Sequence, residues 1–238
     1  DMFYLPGTGT LTFNVSGNVT VAKDGILVSA NQHDGAVTFN VGGNLINNGG
    51  LIYGSLLGDG NSTTAITGNF ENNISTFTGE YYGSVNGNGN SSLTVGGNLI
   101  NHGYLDLIWN TGTSGVGNGN GTLTVTGSFT QSEGDLRAIF NLTTTNAGAV
   151  ALTFGSINFT GGIFMGNYSC NSTGTTNTMV VNGNANITFS NSTDVFRGIG
   201  LSTLTSFQNN AIFSLVVAGS LTITGNGAAE FRSSAGNS

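Results

Sequence analysis

Four charged residues lie close together in the middle of the sequence and are its best candidates for catalysis. They are Asp106, Glu133, Asp135 and Arg137. Clustered carboxylates beside a basic group are what enzymes that cleave polysaccharides use for acid–base chemistry. In the repeat described below, Asp106 and Asp135 fall at similar positions of successive turns, where each carboxylate would perturb the pKa of the other. A chain with only four Lys and Arg has little with which to bind acidic sugars, so a solvated acidic patch is the favoured interpretation and catalysis the alternative.

The sequence is also rich in N-x-[ST] sequons, the acceptor sites of N-linked glycosylation. A surface rich in Asn and Thr produces some of these by chance. Asn14 and Asn186 stand at outward positions of alternating segments, next to inward Phe13 and Ile187, and other sequons lie in Gly-rich loops that tolerate a glycan. We therefore predict that several are glycosylated in an archaeal or eukaryotic secretory setting. The twelve candidates are Asn14, Asn18, Asn61, Asn73, Asn90, Asn120, Asn141, Asn158, Asn167, Asn171, Asn186 and Asn191.

Other ligand classes find little support in the composition. A net charge of −7 offers no basic surface for nucleic acid or an anionic membrane. His33 and His102 share no metal-ligand spacing, so we predict neither a metal nor another cofactor. No apolar run reaches the roughly 18 residues of a membrane span, so none is predicted. The single Cys170 excludes an internal disulfide framework.

The elements that position these residues belong to a repeat that covers most of the chain. A glycine recurs every 25 to 36 residues after a short apolar-alternating segment. Each of these anchor glycines is followed by Asn or Ser and then by an apolar residue, and the heptapeptide VGGNLIN occurs twice, at 41–47 and 95–101. The eight anchors are Gly17, Gly43, Gly68, Gly97, Gly127, Gly155, Gly183 and Gly219.

Within a unit the apolar residues alternate with polar ones, as in Leu93-Thr94-Val95, which is typical of strands with one buried face. A second short strand follows the anchor, then a polar corner, a third apolar strand and a loop of Gly, Asn, Ser and Thr. One such unit has too few apolar residues to make a core, but stacked units would bury one another. The column of Asn and Ser after the anchors would then form a hydrogen-bonded ladder. The turn glycines are expected to adopt positive φ.

These patterns predict an all-β fold, a single parallel β-helix (β-solenoid) of about eight turns, with right-handed coiling as the commoner hand. At about 4.8 Å per turn the rod would be roughly 38 Å long. A β-sandwich is the rival architecture, although sandwiches do not repeat one motif eight times. We predict one domain over 1–238, with a capping or joining segment at 1–10, repeats at 11–234 and a tail at 235–238.

The frame L-T-V-x-G-N-L-x-N-x-G resembles the repeats of filamentous-haemagglutinin and autotransporter-passenger β-helices, and the β-solenoid segments of large bacterial and archaeal surface proteins. Residues 41–49, 92–103 and 122–134 carry the resemblance most clearly. It implies secretion and a role in adhesion, in a surface layer or in a filament. It carries no catalytic residues over to this chain.

Three functions follow as expectations, in order of preference. The first is a non-enzymatic extracellular structural protein, a subunit of a filament, sheath or surface layer. It would polymerise through end-to-end or lateral contacts, because uncovered terminal strands pair readily with another chain. The second is an adhesin or carbohydrate-binding module that uses Tyr81, Tyr82, Tyr104 and Trp109. The third is a polysaccharide-acting enzyme that uses the acidic cluster.

Overall fold

The protein is a stack of parallel β-strands in a computed structural model that describes residues 2–74, 79–110, 119–141, 148–169, 173–200 and 210–225. Throughout these ranges the regular secondary structure is β-strand. Alternation of apolar and polar residues with β-branched side chains produces the strands, and clusters of Gly, Asn and Ser end them. The predicted all-β class is confirmed.

The strands lie in three columns that run along the stack. Column A is an eight-stranded sheet, in the order β1 (Met2–Gly7), β4 (Ile26–His33), β7 (Leu51–Leu56), β10 (Glu80–Val85), β13 (Tyr104–Asn110), β15 (Asp135–Asn141), β17 (Ile163–Ser169) and β20 (Val195–Gly200). Column B contains β2 (Leu11–Val15), β5 (Val37–Val41), β8 (Ser62–Ile66), β11 (Ser91–Val95), β14 (Gly121–Gln131), β16 (Val150–Phe159), β18 (Thr173–Val181) and β21 (Asn210–Val217). Column C contains β3 (Val19–Val21), β6 (Leu45–Asn48), β9 (Phe70–Asn73), β12 (Leu99–Asn101), the second halves of β14 and β16, β19 (Ala185–Phe189) and β22 (Leu221–Gly225).

Each strand pairs in parallel with its equivalent one pass of the chain earlier and one pass later. Leu93, for example, lies opposite Leu123, and Val95 lies opposite Val125. This is the register that the repeat predicted, and it confirms the parallel β-solenoid. Strand β1 pairs with β4 as the first described strand of column A. The right-handed coiling and the single-domain boundaries stay predictions, and the tail at 235–238 lies outside the described residues.

The core lies between the three columns and is built from the inward side chains of every turn. In the middle of the stack these side chains are completely buried, as at Leu93, Leu99 and Leu105. Aromatic rings dominate further along, where Phe164 and Phe196 stack with their centroids 4.3 Å apart. Phe129 meets the ring of Phe164 edge-on at 5.9 Å. Such ring pairs add about 0.5–1.5 kcal/mol each to the gain from burial alone.

The anchor glycines have a different cause from the predicted one. The described glycines with positive φ are Gly49, Gly134, Gly162 and Gly225, none of which is an anchor. Instead, the seven anchors after Gly17 lie close against the preceding turn, where a Cβ would meet its atoms. A Cβ on Gly97 would overlap with Oδ1 of Asn69 in the preceding turn, and a Cβ on Gly43 would overlap with Oδ1 of Asn18.

This contact gives a prediction with a matched control. Gly97→Ala is expected to destabilise the protein by about 1–3 kcal/mol, because an added methyl group has no space there. Gly17→Ala should be neutral, since a Cβ on Gly17 has no neighbour within 4 Å. Chemical denaturation of both variants measures the difference. Equal stability of the two variants would contradict the close-approach explanation.

Candidate functional site

The predicted acidic cluster does not assemble as expected. Asp106 lies opposite Arg137 across the β13–β15 pair, and Asp135 lies opposite Tyr104. The sequence-based alignment of Asp106 with Asp135 was therefore wrong by two residues. It failed because the corner between columns C and A has two residues in one unit (102–103) and three in the next (132–134), so the count from the anchor does not fix the register of column A.

Asp106 and Arg137 instead form a buried ion pair. Nε of Arg137 donates to Oδ1 of Asp106 at 3.0 Å, and Nη2 donates to Oδ2 at 3.0 Å. The Asp106 side chain is 0% exposed, and the Arg137 side chain is 17% exposed. The guanidinium also lies 4.3 Å from the centroid of the Phe140 ring, a cation–π contact. Both oxygens of Asp106 are occupied and shielded from solvent, which makes this carboxylate a structural group.

Burial sets the protonation behaviour of this pair. Desolvation raises the pKa of Asp106 to about 7, against the opposing effect of the Arg137 charge. Burial also raises the pKa of Asp135, again opposed by Arg137, whose Nη1 lies 3.8 Å from Oδ2 of Asp135. A shallow cleft of about 180 Å³ adjoins the pair, lined by Asp135, Arg137, Phe140, Ile163 and Met165.

Glu133 stands apart from Asp106, at a corner of the stack. Its Oε1 lies 3.5 Å from Nδ1 of His102, and the Ser132 hydroxyl lies 3.1 Å from the same nitrogen. A catalytic Ser–His–acid arrangement needs the two partners on opposite ring nitrogens. Because both contact Nδ1 here, this trio is a surface contact between turns.

The aromatic residues proposed for ligand contact divide between core and surface. Tyr81 is 0% exposed and packs edge-on against Phe70, so it belongs to the core. Tyr82 is 7% exposed and lies between Tyr53, at 5.4 Å, and Trp109, at 5.2 Å. Tyr104 and Trp109 are the members of the predicted set that remain partly exposed.

The sequons occupy different environments. Asn73 is half-buried, and Asn167 is 0% exposed, with its Nδ2 donating to Oδ1 of Asn177 at 3.1 Å. A glycan has no room at Asn167, so that candidate is withdrawn. Asn171 and the side chain of Asn141 lie outside the described residues, as does Cys170. Eight sequons are exposed, namely Asn14, Asn18, Asn61, Asn90, Asn120, Asn158, Asn186 and Asn191.

The ladder predicted after the anchors is present on the surface of the stack. Oδ1 of Asn18 accepts the backbone N–H of Asn44 at 2.8 Å, and Oδ1 of Asn44 accepts that of Asn69 at 2.8 Å. The same bond links Asn69 to Asn98, Asn98 to Ser128 and Asn184 to Ser220. In every case the acceptor belongs to the earlier turn and the donor to the later one. We call this series the outer ladder.

A second series of amides lies inside the stack and was not predicted. Asn47, Asn72, Asn101 and Gln131 occupy equivalent positions of four turns and are all 0% exposed. Nδ2 of Asn47 donates to Oδ1 of Asn72 at 2.9 Å, and Nδ2 of Asn72 donates to Oδ1 of Asn101 at 2.9 Å. We call this series the inner ladder. Its signal was available, because Asn101 stands two residues after the inward Leu99, but the run Asn101-His102-Gly103 predicts the polar corner of its unit.

The two ends of the stack differ from its middle. We define the N-face as the edge formed by β1, β2 and β3, and the C-face as the edge formed by β20, β21 and β22. Among the described residues, each of these strands has a paired column neighbour on one side only. On the N-face, inward Val15 is 37% exposed, whereas its equivalent Val95 in the middle of the stack is 0% exposed.

The C-face exposes apolar side chains as well. Leu221 and Ile223, which lie opposite the buried Ala185 and Ile187, are 45% and 42% exposed. An apolar cavity of about 170 Å³ opens on the N-face, lined by Phe13, Val15, Leu27, Val28, Ser29 and Phe39. Within the described part of the chain, both faces therefore combine strands that are paired on one side with exposed apolar side chains, which makes them the strongest candidates for a functional surface.

The described ranges contain no group of three or more His, Cys, Asp or Glu arranged to hold a metal ion. No helix within them is long and apolar enough to cross a membrane. Comparison with known proteins finds no matching family model, no matching curated protein and no matching solved structure.

Proposed function

We propose that the protein is a structural subunit that acts outside the cell and assembles into a filament, sheath or surface layer by stacking end to end. The observation that carries the proposal is the exposure of apolar side chains on the edge strands of the N-face and the C-face. Strand edges whose backbone groups have no partner are templates for pairing with another chain. Here the described strands of each face are paired on one side, and their inward apolar side chains are exposed at positions where the middle of the stack buries them. A second copy of the same solenoid supplies the missing strands and covers these side chains.

The low charge of the chain and the resemblance of its repeats to β-helices of secreted surface proteins support an extracellular setting. In that setting the sides of the stack carry N-linked glycans, and the faces stay free of them. Glycopeptide mass spectrometry of native material should find modification at exposed sequons such as Asn158 and Asn186. An unmodified chain would remove the glycans from the proposal, and a glycan on Asn167 would contradict the described packing.

Electron microscopy of the 238-residue chain tests the assembly. We expect ordered fibres with an axial spacing of about 4.8 Å from the strands. Ile223→Arg should abolish fibres, because a charge at the C-face would be buried without a partner. Ile74→Arg is the matched control, since Ile74 is similarly exposed at 45% but belongs to neither face. Fibres that survive Ile223→Arg, or a chain that stays monomeric at high concentration, would refute the stacking.

A further inference from the structure

We infer that the cleft beside the buried Asp106–Arg137 pair binds one neutral sugar ring through two of its adjacent hydroxyl groups. The ligand class is a pyranose that carries a vicinal diol, either free or as part of a longer glycan. This inference adds a binding activity on the side of the stack, and it does not depend on how copies of the chain assemble.

Two neighbouring strands of column A form the cleft, one with polar and the other with apolar side chains. In β15, Asp135 and Arg137 stand on either side of a buried leucine, so both point away from the core. In β17, Ile163 and Met165 stand on either side of a buried phenylalanine and also point outward. The parallel register sets Asp135 opposite Ile163 and Arg137 opposite Met165. The cleft therefore has one polar wall and one apolar wall.

The buried carboxylate of Asp106 holds the guanidinium of Arg137 in a fixed orientation. Both Nε and Nη2 of Arg137 donate to Asp106. The guanidinium carbon lies 5.5 Å from the centroid of the Tyr104 ring and 4.3 Å from that of Phe140. These contacts leave Nη1 as the nitrogen that faces Asp135, at 3.8 Å from its Oδ2. Because the side chain is already held in place, little conformational freedom is lost when Nη1 donates to a ligand.

The spacing of Nη1 and the Asp135 carboxylate indicates the groups that the ligand must carry. The two atoms are too far apart to bond each other, since N–H···O bonds measure about 2.7–3.2 Å. Within the described part of the chain, neither Nη1 nor this carboxylate makes a hydrogen bond. A hydroxyl group both donates and accepts. Two adjacent hydroxyls of a sugar ring therefore fit between them, one accepting from Nη1 and the other donating to Asp135.

The size and the charge of the cleft narrow the ligand further. Its volume is about 180 Å³, which suits a single ring, because pockets for drug-sized ligands measure about 300–1,000 Å³. Ile163 and Met165 can pack against the C–H groups of that ring. Two carboxylates, Asp106 and Asp135, stand beside the one guanidinium, so an anionic sugar would be repelled.

Ligand-observed NMR on the 238-residue chain tests the site with the methyl glycosides of glucose, galactose and mannose. At least one of these neutral sugars should bind, with a Kd in the millimolar range that is usual for so small a ligand. Glucuronic acid should bind at least tenfold more weakly. Absence of binding by all three neutral glycosides would overturn the inference, and so would equally tight binding of glucuronic acid.

Two substitutions test whether the sugar binds in this cleft. Asp135→Ala removes the acceptor and should weaken binding by about tenfold or more, as expected for a lost hydrogen bond to a charged group. Ile163→Trp fills the cleft and should abolish binding. Ile100→Trp is the matched control, since Ile100 is also half-buried but lies in column C. Circular dichroism should show the parental fold in all three variants. Binding that survives both Asp135→Ala and Ile163→Trp would place the sugar elsewhere and overturn the inference.

Competition identifies where the sugar comes from. Displacement of the bound glycoside by glycans released from native material would indicate contact between neighbouring copies, whereas displacement by dextran, a neutral polysaccharide, would indicate a foreign ligand. The outcome is separate from that of the assembly proposal. Sugar binding without fibres would support the cleft and refute the stacking, and fibres without sugar binding would do the reverse.

Discussion

Replacing Arg137 with methionine is expected to cost about 3–5 kcal/mol of unfolding free energy at pH 8, the usual penalty for leaving a buried charge without its partner. Asp106 has both oxygens bonded to that guanidinium and no exposure to solvent. The variant keeps the length and much of the packing of the arginine stem. Chemical denaturation followed by circular dichroism measures the loss.

The loss should be smaller at pH 5 than at pH 8. Burial already raises the pKa of Asp106 to about 7 with Arg137 present, and removing the arginine raises it further. A carboxyl group with a raised pKa binds more protons folded than unfolded, so the unfolding free energy falls as pH rises from the unfolded pKa near 4 through the folded pKa. At pH 5 Asp106 of the folded variant is protonated and carries no unpaired charge, so the loss of unfolding free energy is smaller.

A double variant provides the control. Asp106→Leu with Arg137→Met removes both charges, and such apolar replacements of buried pairs are often neutral or stabilising. The double variant should recover most of the lost stability and lose the pH dependence that comes from Asp106, leaving that of the partly buried Asp135. An equal loss at both pH values in the single variant, or a double variant no more stable than the single one, would contradict the role assigned to the pair.

Replacing Asn72 with alanine is expected to cost about 2–5 kcal/mol, because it interrupts the inner ladder at its centre. Nδ2 of Asn47 keeps its bond to the carbonyl of Gly50 but loses Oδ1 of Asn72 as an acceptor. Oδ1 of Asn101 and the carbonyl oxygen of Tyr104 each lose the Asn72 Nδ2 donor. Each buried group left unpaired costs about 1–3 kcal/mol. Water cannot replace the missing partner easily, since all members of the ladder are 0% exposed.

Asn73 is the matched control for this experiment. It is the next residue in the same strand, it is half-buried, and its Nδ2 donates to Oδ1 of Asn48 at 3.3 Å. Asn73→Ala should change stability by less than about 0.5 kcal/mol, as substitutions near the surface usually do. Similar losses of unfolding free energy in the two variants would show that the buried amides of the inner ladder contribute no more to stability than an amide near the surface.

The sequence predicts the architecture of this protein well because the repeat is local. Alternation in segments such as 93–95 identifies the strands, and the recurring glycine with its Asn or Ser identifies the turn and the outer ladder. Contacts between turns are less accessible to sequence reasoning. The alignment of Asp106 with Asp135 is wrong because the corner before column A is one residue longer in the second unit, and in the true register Asp106 faces Arg137.

The same limit explains the other differences. The anchor glycines were assigned to positive φ, a local property, whereas Gly97 is required by Asn69 of another turn. Asn101 was assigned to a polar corner, although it lies in the core with Asn72 and Gln131 on either side.

The inner ladder also distinguishes turns that the repeat makes nearly identical. Two turns of this protein carry the same heptapeptide, at 41–47 and 95–101. Apolar contacts alone would therefore tolerate a turn that packed at the wrong position in the stack. The ladder covers only part of the repeat. The equivalent position holds Val21 in the turn before it and Phe159 in the turn after it. A ladder turn displaced outside this series would have apolar residues at the equivalent position on both sides, and its amide would leave its inter-turn hydrogen bonds unmade, at about 1–3 kcal/mol for each group. Four buried amides thus act as an alignment mark inside a nearly uniform stack.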